Sequence, residues 1–531
     1  MLGAAGALLA IGVGERLAPG LLEGPRLSWV RGCVCLAGLV GALGGAGEAG
    51  FGFAVDGLSQ VVLAVLFLTS AAGAAGLAGV SGAVALATLA ADGAVLVVAV
   101  GVAVVAAVGR SSRVGWGAVG CLVVAVLAAG WHVGALDVRF AVMRGGDMQG
   151  ALMAGATVGA AVLSWRAMPG GVGGVLGFYL LGRMLLDLAG SGTPGWWGAP
   201  VLLVGMAGAA WGARRVGTAR DGRALVAAAG VAGQGFAVVG LGVSLLARGS
   251  DLPGLEALGA GAALLALVCW ALWVGLLAVC LGVVHGAAGS GELSRMGGVL
   301  RRAPGTGVAT MVALASMGVW PGSAGFVGLW TVLQAVLGAG RLGGTVWLAL
   351  AGSCLVVLGL AAAWLAAGAV RVGGMVLLGV PRAGKAWVRP GRVVLAGMAG
   401  LAIAVVGAGV WPGLMLGFVQ PGVRLLSGGE VRGGAWSVAG VGEGPGLVAP
   451  VLVALMVASV AGVAWVGRGP VVAAAPWQGG TAGDGVSREN AWQAPSGMPA
   501  GWRTWRPRFT PWMGLLALGL VLAAVLGWTA R

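Results

Sequence analysis

The chain has 531 residues, of which 59% are hydrophobic and only 9% are charged. Soluble domains average about 25% charged residues, so this composition excludes an ordinary soluble domain. Apolar runs long enough to form bilayer-spanning helices recur from end to end. The sequence therefore predicts an all-α, polytopic membrane protein with about 14 transmembrane helices, the number of such runs.

The formal net charge of +15 comes from 31 Lys and Arg against 16 acidic residues. The arginines concentrate in the connections between apolar runs, which is typical of the positive-inside rule and of contact with anionic lipid headgroups. No basic stripe interleaved with aromatic residues occurs, so we predict a lipid bilayer and not a nucleic acid as the charged partner. Connections on both sides carry arginine, and the orientation therefore stays open.

The predicted spans form one membrane bundle over residues 1–466, followed by a polar loop at 467–510 and a C-terminal transmembrane helix at 511–531. The six cysteines lie within apolar runs and lack metal-ligand spacing with a histidine. The sequence contains no Walker loop, dinucleotide fingerprint or zinc motif. We therefore predict no cofactor, no metal site and no autonomous enzyme.

The apolar run at 307–337 is interrupted by Trp320, Pro321 and Gly322. Pro321 lacks a backbone donor and clashes with the preceding turn, while Gly322 and Gly325 add backbone freedom. Hydrocarbon cannot satisfy the backbone groups that a broken helix frees, so such breaks usually face protein or a wet cavity and often mark ion sites. A simple proline kink and a loop between two short helices are the alternatives.

Short motifs around this break, and others along the chain, resemble those of a known family. Near the break these are Gly297-Gly298, Arg301-Arg302-Ala303-Pro304, Pro321, Gly325-Phe326-Val327, Trp330 and Gln334-Ala335. Elsewhere they are Asp56-Gly57-Leu58-Ser59, Ala91-Asp92-Gly93-Ala94, Tyr179 with Arg183, and Asp221-Gly222-Arg223-Ala224-Leu225. The chain resembles the antiporter-like subunits of membrane-bound hydrogenases and formate hydrogenlyase, relatives of the proton-pumping subunits of respiratory complex I and of multisubunit sodium/proton antiporters.

The resemblance implies an antiporter-like fold with inverted repeats and discontinuous helices, located as a multi-pass protein in a bacterial inner membrane. It also implies other membrane and peripheral subunits of a redox complex as partners, and protons as the transported ion. Five ionisable residues become candidates for a proton path, and they are Arg371, Asp92, Arg183, Asp187 and Asp221.

Arg371 lies where the resemblance places a late, membrane-embedded lysine, near the end of a long apolar run at 343–379. A charge at the bilayer centre costs at least about 2.5–3.5 kcal/mol on insertion scales and normally faces a partner or water. The alternative is an arginine that snorkels to the headgroups from a helix end. Arg183 and Asp187 are four residues apart, and pairing on one helix face is the favoured explanation for both. Asp56 is interpreted as a helix N-cap.

Most other ionisable positions of the family hold residues that carry no proton. These positions are Gly101, Val102, Ala266, Trp270, Val274 and Leu329. Two hypotheses follow. In the first, the chain is a non-catalytic membrane subunit of a hydrogenase- or NADH:quinone oxidoreductase-like complex, coupled to proton translocation. In the second, it has the same fold and location but only scaffolds the complex.

Overall fold

A computed structural model describes the helical core of the chain. The described residues are chiefly 53–72, 78–90, 96–100, 119–127, 155–162, 172–189, 193–378 and 390–431, with a few shorter pieces. Asp92, the predicted loop at 467–510 and the predicted helix at 511–531 lie outside them.

Twelve helices have defined bounds in the described part, beside shorter helical pieces such as those at 96–100, 119–127 and 155–162. They are α1 (Gly57–Ala72), α2 (Ala78–Leu89), α3 (Val172–Leu181), α4 (Gly198–Thr218), α5 (Gly222–Arg248), α6 (Pro253–Ala288), α7 (Val299–Arg302), α8 (Pro304–Met317), α9 (Ala324–Gly338), α10 (Thr345–Val376), α11 (Arg392–Val410) and α12 (Pro412–Ser427). One π-helical segment, Gly182–Asp187, continues α3. Helices α6, α8 and α12 begin with proline, which is suited to a first turn because its missing N–H would have no helical partner there.

Short strands accompany the helices. A hairpin of β1 (Gly47–Ala49) and β2 (Phe53–Val55) precedes α1, with Gly47 opposite Val55. After α12, β3 (Gly433–Gly434), β4 (Ser437–Val438) and β5 (Leu447–Val448) form a small antiparallel sheet in that order. The all-α prediction thus describes the helical bundle, and the short strands lie before α1 and after α12.

Helix α6 is the centre of the described bundle. Its 36 residues rise about 54 Å at 1.5 Å per residue. It contacts α1, α5, α8, α9, α11 and α12, and it is buried along most of its length. A helix that is apolar all round belongs in such a position, because no polar face is available for water. Helix α10 differs, since Val346 and Val370 are 76% and 71% exposed, as expected of a lipid-facing surface.

Four described segments are long and apolar enough to cross a membrane, namely α5, α6, Ala324–Leu342 and α10. Helices α11 and α12 form a further candidate span, bent by 89°. Helix α10 runs unbroken past Gly368, so the long run at 343–379 extends as one helix of 32 residues. The chain is therefore a multi-pass helical membrane protein, while the total of about 14 helices and the inverted repeats remain predictions.

Helices α4 and α5 pack backbone against backbone through glycines seven residues apart on each helix. A Cβ on Gly205 would lie 2.7 Å from the Val239 nitrogen, and one on Gly242 would lie 2.8 Å from the Leu202 nitrogen. Gly212 and Gly235 make the same kind of contact one heptad away. Small residues permit this close approach in membranes, where packing and not water exclusion holds helices together.

Gly205→Ala is expected to destabilise the purified protein by about 1–3 kcal/mol, because its methyl group would force α4 and α5 apart. Thermal unfolding in detergent measures the effect. Gly282→Ala is the matched control, since a Cβ at Gly282 in α6 meets nothing within 4 Å. Equal melting temperatures for the two variants would contradict the close packing of α4 and α5.

Candidate functional site

The stretch around Pro321 consists of two helices, α8 and α9, joined by a non-helical turn. Val319 and Gly322 adopt positive φ angles of 60° and 80° within this turn. Pro321 has no N–H with which to continue α8. The backbone N–H of Gly325 donates a hydrogen bond of 2.9 Å to the Ser316 Oγ, so a side chain of α8 satisfies a donor in the first turn of α9.

The break between α8 and α9 lies against the end of α11. The backbone of Gly409 packs directly on Gly322, with no room for a Cβ at position 409. Trp411 follows two residues later, at the 89° bend between α11 and α12. Two interrupted helices therefore meet close to their interruptions, an arrangement in which each shields the free backbone of the other from lipid.

A small cavity of about 20 Å³ lies beside the break, with room for about one water molecule. It is lined by α5, α6, α8, α9 and α10, and its lining includes Ala266, Trp270 and Leu329. These are three of the positions at which the chain lacks an ionisable residue of the family it resembles. The lining contains a thiol, a hydroxyl and two indoles, but no carboxylate, imidazole, ammonium or guanidinium group.

Trp270 fills the space between α5 and α6. Its indole ring packs on Gly233, where a Cβ would overlap the ring. The side chain is only 2% exposed, and its Nε1–H has no hydrogen-bond partner. An indole can donate a hydrogen bond but cannot take up a proton near neutral pH, so Trp270 offers water a contact without offering a proton relay.

A second group of polar residues surrounds the buried Arg183, at the end of α3. The Arg183 side chain is 1% exposed and forms ion pairs of 2.5 Å with Asp187 and 2.6 Å with Asp56. It also donates hydrogen bonds of 3.1 Å to the Tyr179 hydroxyl and of 3.1 Å to the Ser59 hydroxyl. The predicted pairing with Asp187 is thus present within a larger network that joins α1 to α3.

Asp56 has two roles at the start of α1. Its Oδ1 accepts a hydrogen bond of 2.9 Å from the Ser59 backbone N–H, as predicted for an N-cap, while its Oδ2 pairs with Arg183. Burial raises the pKa of the Asp56 carboxyl, but the Arg183 charge and the Ser59 hydrogen bond lower it by more. The net pKa lies below its ordinary value, which keeps this carboxylate ionised.

Arg248 joins the same end of the bundle from α5. It pairs with Glu256 at 2.7 Å and donates a hydrogen bond of 2.5 Å to the Leu186 carbonyl oxygen. It also donates to the Leu426 carbonyl oxygen at the end of α12. These contacts connect α5 and α6 with α3 and α12, a link that local sequence patterns do not predict.

Arg371 and Asp221 lie at the other end of the bundle, where α4 ends and α5 begins. Arg371 donates hydrogen bonds of 3.1 Å to the Val216 carbonyl and of 2.6 Å to the Ala219 carbonyl. A guanidinium at this position suits the negative end of the α4 dipole. Asp221 caps α5 by accepting hydrogen bonds from the backbone N–H groups of Arg223 and Ala224. Both residues thus have local structural partners.

The proton-path candidates in the described part of the chain are split between the two ends of α5. Arg183 and Asp187 lie near Arg248, whereas Arg371 and Asp221 lie near Gly222. The 27 residues of α5 span about 40 Å, which exceeds the thickness of a bilayer's hydrocarbon core. The cavity between the two ends contributes no charged group, so these four residues do not form a continuous path.

Comparison with known proteins shows that part of this chain is similar to a known family. Residues 151–359 match the family described as "NADH:quinone oxidoreductase/Mrp antiporter, TM". This range covers α3 to α9 and thus the break and every residue that lines the cavity except Leu365. This central part of the chain is therefore similar to the membrane domain of that antiporter family.

Two curated relatives are similar to part of this chain. A protein of Mycobacterium tuberculosis is 33% identical over 164 residues, which are 31% of this chain and 26% of the relative. Formate hydrogenlyase subunit 3 of Escherichia coli is 28% identical over 207 residues, which are 39% of this chain and 34% of that subunit. The matched part of this chain thus spans about a quarter to a third of these relatives.

Solved structures share the fold over a larger part of this chain. A chain of the membrane-bound sulfane sulfur reductase, an archaeal respiratory membrane complex, matches with a TM-score of 0.67 and 19% identity, over 90% of this chain and 87% of that one. A chain of the Mrp complex from Dietzia sp. DQ12-45-1b matches with a TM-score of 0.60 and 19% identity, over 99% of this chain and 63% of that one. The antiporter-like fold is therefore present, and similar chains are subunits of multisubunit membrane complexes.

Arg183→Gln is expected to destabilise the protein by about 3–5 kcal/mol, because it leaves the buried Asp187 and the partly buried Asp56 without their cation. Arg424→Gln is the matched control, since Arg424 and its partner Glu430 are 60% and 58% exposed. An exposed pair of this kind contributes about 0–1 kcal/mol. Thermal unfolding of both purified variants measures the difference, and an Arg183 variant as stable as the Arg424 variant would contradict the role of the network.

Proposed function

We propose that this chain is a membrane subunit of a redox-linked complex of the hydrogenase or NADH:quinone oxidoreductase kind, and that it scaffolds the complex without carrying protons through its own centre. The antiporter-like fold and the similarity to formate hydrogenlyase subunit 3 support the first part. The second part rests on one observation: Ala266, Trp270 and Leu329 line the cavity where a relay would need ionisable groups.

Proton transfer across a bilayer needs ionisable groups inside the helices, spaced so that water bridges them. Methyl groups and an indole do not titrate near neutral pH. Arg371 does not compensate for them, because a guanidinium keeps its proton at any physiological pH and its Nη2 binds the end of α4. Arg183 forms ion pairs at one end of the bundle, and Arg371 donates hydrogen bonds to the end of α4 at the other. These contacts hold the helices in place, which supports a role as a scaffold for neighbouring subunits.

Proton translocation through this chain is the second candidate function. The observation that favours it is the cavity beside the α8–α9 break, which has room for water and exposes the unpartnered Trp270 Nε1–H. In this alternative, water in the cavity and the free backbone groups of the break would connect relays in other parts of the complex.

Trp270→Phe separates the two candidates, because it removes the indole N–H while it keeps an aromatic ring on Gly233. Inverted membrane vesicles containing the whole complex would be assayed for protons taken up per electron transferred. The scaffold proposal predicts an unchanged ratio for Trp270→Phe and also for Arg371→Gln. Because Arg371 caps α4, the second variant is expected to lower the amount of assembled complex.

A reduced proton-to-electron ratio, in either variant assembled at the parent level, would contradict the scaffold proposal and favour translocation. Arg392→Gln, an exposed change at the same end as Arg371, controls for the loss of an arginine. Deletion of the chain tests membership of the complex separately, since the remaining subunits are expected to dissociate. A complex that assembles and turns over normally without the chain would overturn the proposed function altogether.

A further inference from the structure

The charged side chains that the structure describes are sorted between the two ends of the bundle. Nine arginines and two acidic residues lie at the Arg371 end, between Arg214 and Arg223, between Glu292 and Arg302, and at Arg371 and Arg392. Four arginines and five acidic residues lie at the Arg183 end. The first end therefore carries a strong positive excess, whereas the second is almost neutral.

Backbone hydrogen bonds place the positive segments together at one end. The N–H of Leu293 donates to the Arg220 carbonyl at 2.9 Å, which joins the segment after α6 to the α4–α5 turn. The N–H of Gly298 donates to the Leu378 carbonyl at 3.1 Å, which adds the end of α10. Gly305 at the start of α8 packs on Leu395 at the start of α11, which brings in Arg392.

The arginines at this end greatly outnumber the acidic groups available to them. Asp221 accepts hydrogen bonds as the cap of α5, and Glu292 pairs with Arg295 at 3.1 Å. Among the described residues, Arg214, Arg215, Arg220, Arg223 and Arg301 form no ion pair, and all five are exposed. At the Arg183 end, by contrast, three of the four arginines are paired with carboxylates of that same end.

One pair of side chains indicates the depth of these arginines in the membrane. Trp211 on α4 is 48% exposed, and the Arg215 guanidinium carbon lies 4.6 Å from the centre of its ring. Exposed tryptophan is enriched where the hydrocarbon meets the headgroups, and arginine extends from that level toward phosphate. Arg215 thus lies at the level of the headgroups and not far out in solution.

We propose that the Arg371 end faces the cytoplasm and that six of its arginines bind the headgroups of anionic phospholipids. We call Arg214, Arg215, Arg220, Arg223, Arg295 and Arg301 the arginine collar. The positive-inside rule assigns the end with the arginine excess to the cytoplasm. A phospholipid phosphate is favoured over an acidic protein surface as the occupant, because the Trp211–Arg215 pair places the collar at the headgroup level.

Orientation is tested with single cysteines at the two ends of α5, Thr218→Cys and Ser250→Cys, both at exposed positions. A membrane-impermeant maleimide is added to intact spheroplasts and to inverted vesicles, with the parent chain as the background control. The proposal predicts labelling of position 218 only in inverted vesicles and of position 250 only in spheroplasts. The reverse pattern would overturn the proposal.

Lipid binding is tested by native mass spectrometry of the complex released from vesicles of phosphatidylglycerol and phosphatidylcholine at 1:3. The triple variant Arg214→Gln, Arg215→Gln, Arg223→Gln is compared with Arg341→Gln, Arg424→Gln at the opposite end. The collar variant is expected to bind phosphatidylglycerol roughly tenfold more weakly than the parent, and the control is expected to bind like the parent.

Equal retention of phosphatidylglycerol by the collar variant and the parent would overturn the proposal, as would equal retention of both lipids by the parent. Loss of a peripheral protein subunit from the collar variant, with lipid retention unchanged, would also overturn it and would identify an acidic protein as the occupant. These outcomes do not depend on proton uptake, so they are distinguishable from a failure of the scaffold proposal.

Discussion

A hydrocarbon core satisfies neither a charge nor a free backbone hydrogen-bonding group, and this constraint shapes every part of the bundle. Where α8 and α11 end within the bundle, the free backbone is covered by protein, through the Ser316 hydroxyl and the contact between Gly322 and Gly409. The described charges lie toward the helix ends, where they bind carbonyl groups, cap helices or pair with one another. The centre is left with close apolar packing.

This division bears directly on function. The antiporter-like fold retains its interrupted helices and a small cavity beside them, but the cavity is lined by Ala266, Trp270 and Leu329. The Trp270 ring fits between α5 and α6 because position 233 is a glycine. The packing of α5 on α6 thus requires a large apolar ring at this position and leaves no space for an ionisable group. A proton relay needs water beside its titratable groups, and each water needs room. Rigid apolar packing leaves little of that room.

Much of this architecture could be predicted from local sequence. Pro321 and its neighbouring glycines indicated the interruption, and the spacing of Arg183 and Asp187 indicated their ion pair. The partner of Arg183 in α1 could not be predicted, because the two segments are far apart in sequence and the N-cap role of Asp56 explained that residue sufficiently. The close packing of α4 on α5 through glycines seven residues apart could not be predicted for a different reason. With 108 glycines in the chain, many regular spacings occur by chance. Arg371 shows the limit most clearly, since only the structure reveals that the end of α4 is its partner.

The most direct test of a centre without a relay is the distribution of water in the complex. A high-resolution cryo-electron microscopy map in a lipid nanodisc should show at most an isolated water beside Trp270, with no file of waters leading from it to Arg183 or Arg371. A continuous chain of ordered waters connecting the cavity with both ends of α5 would contradict the account.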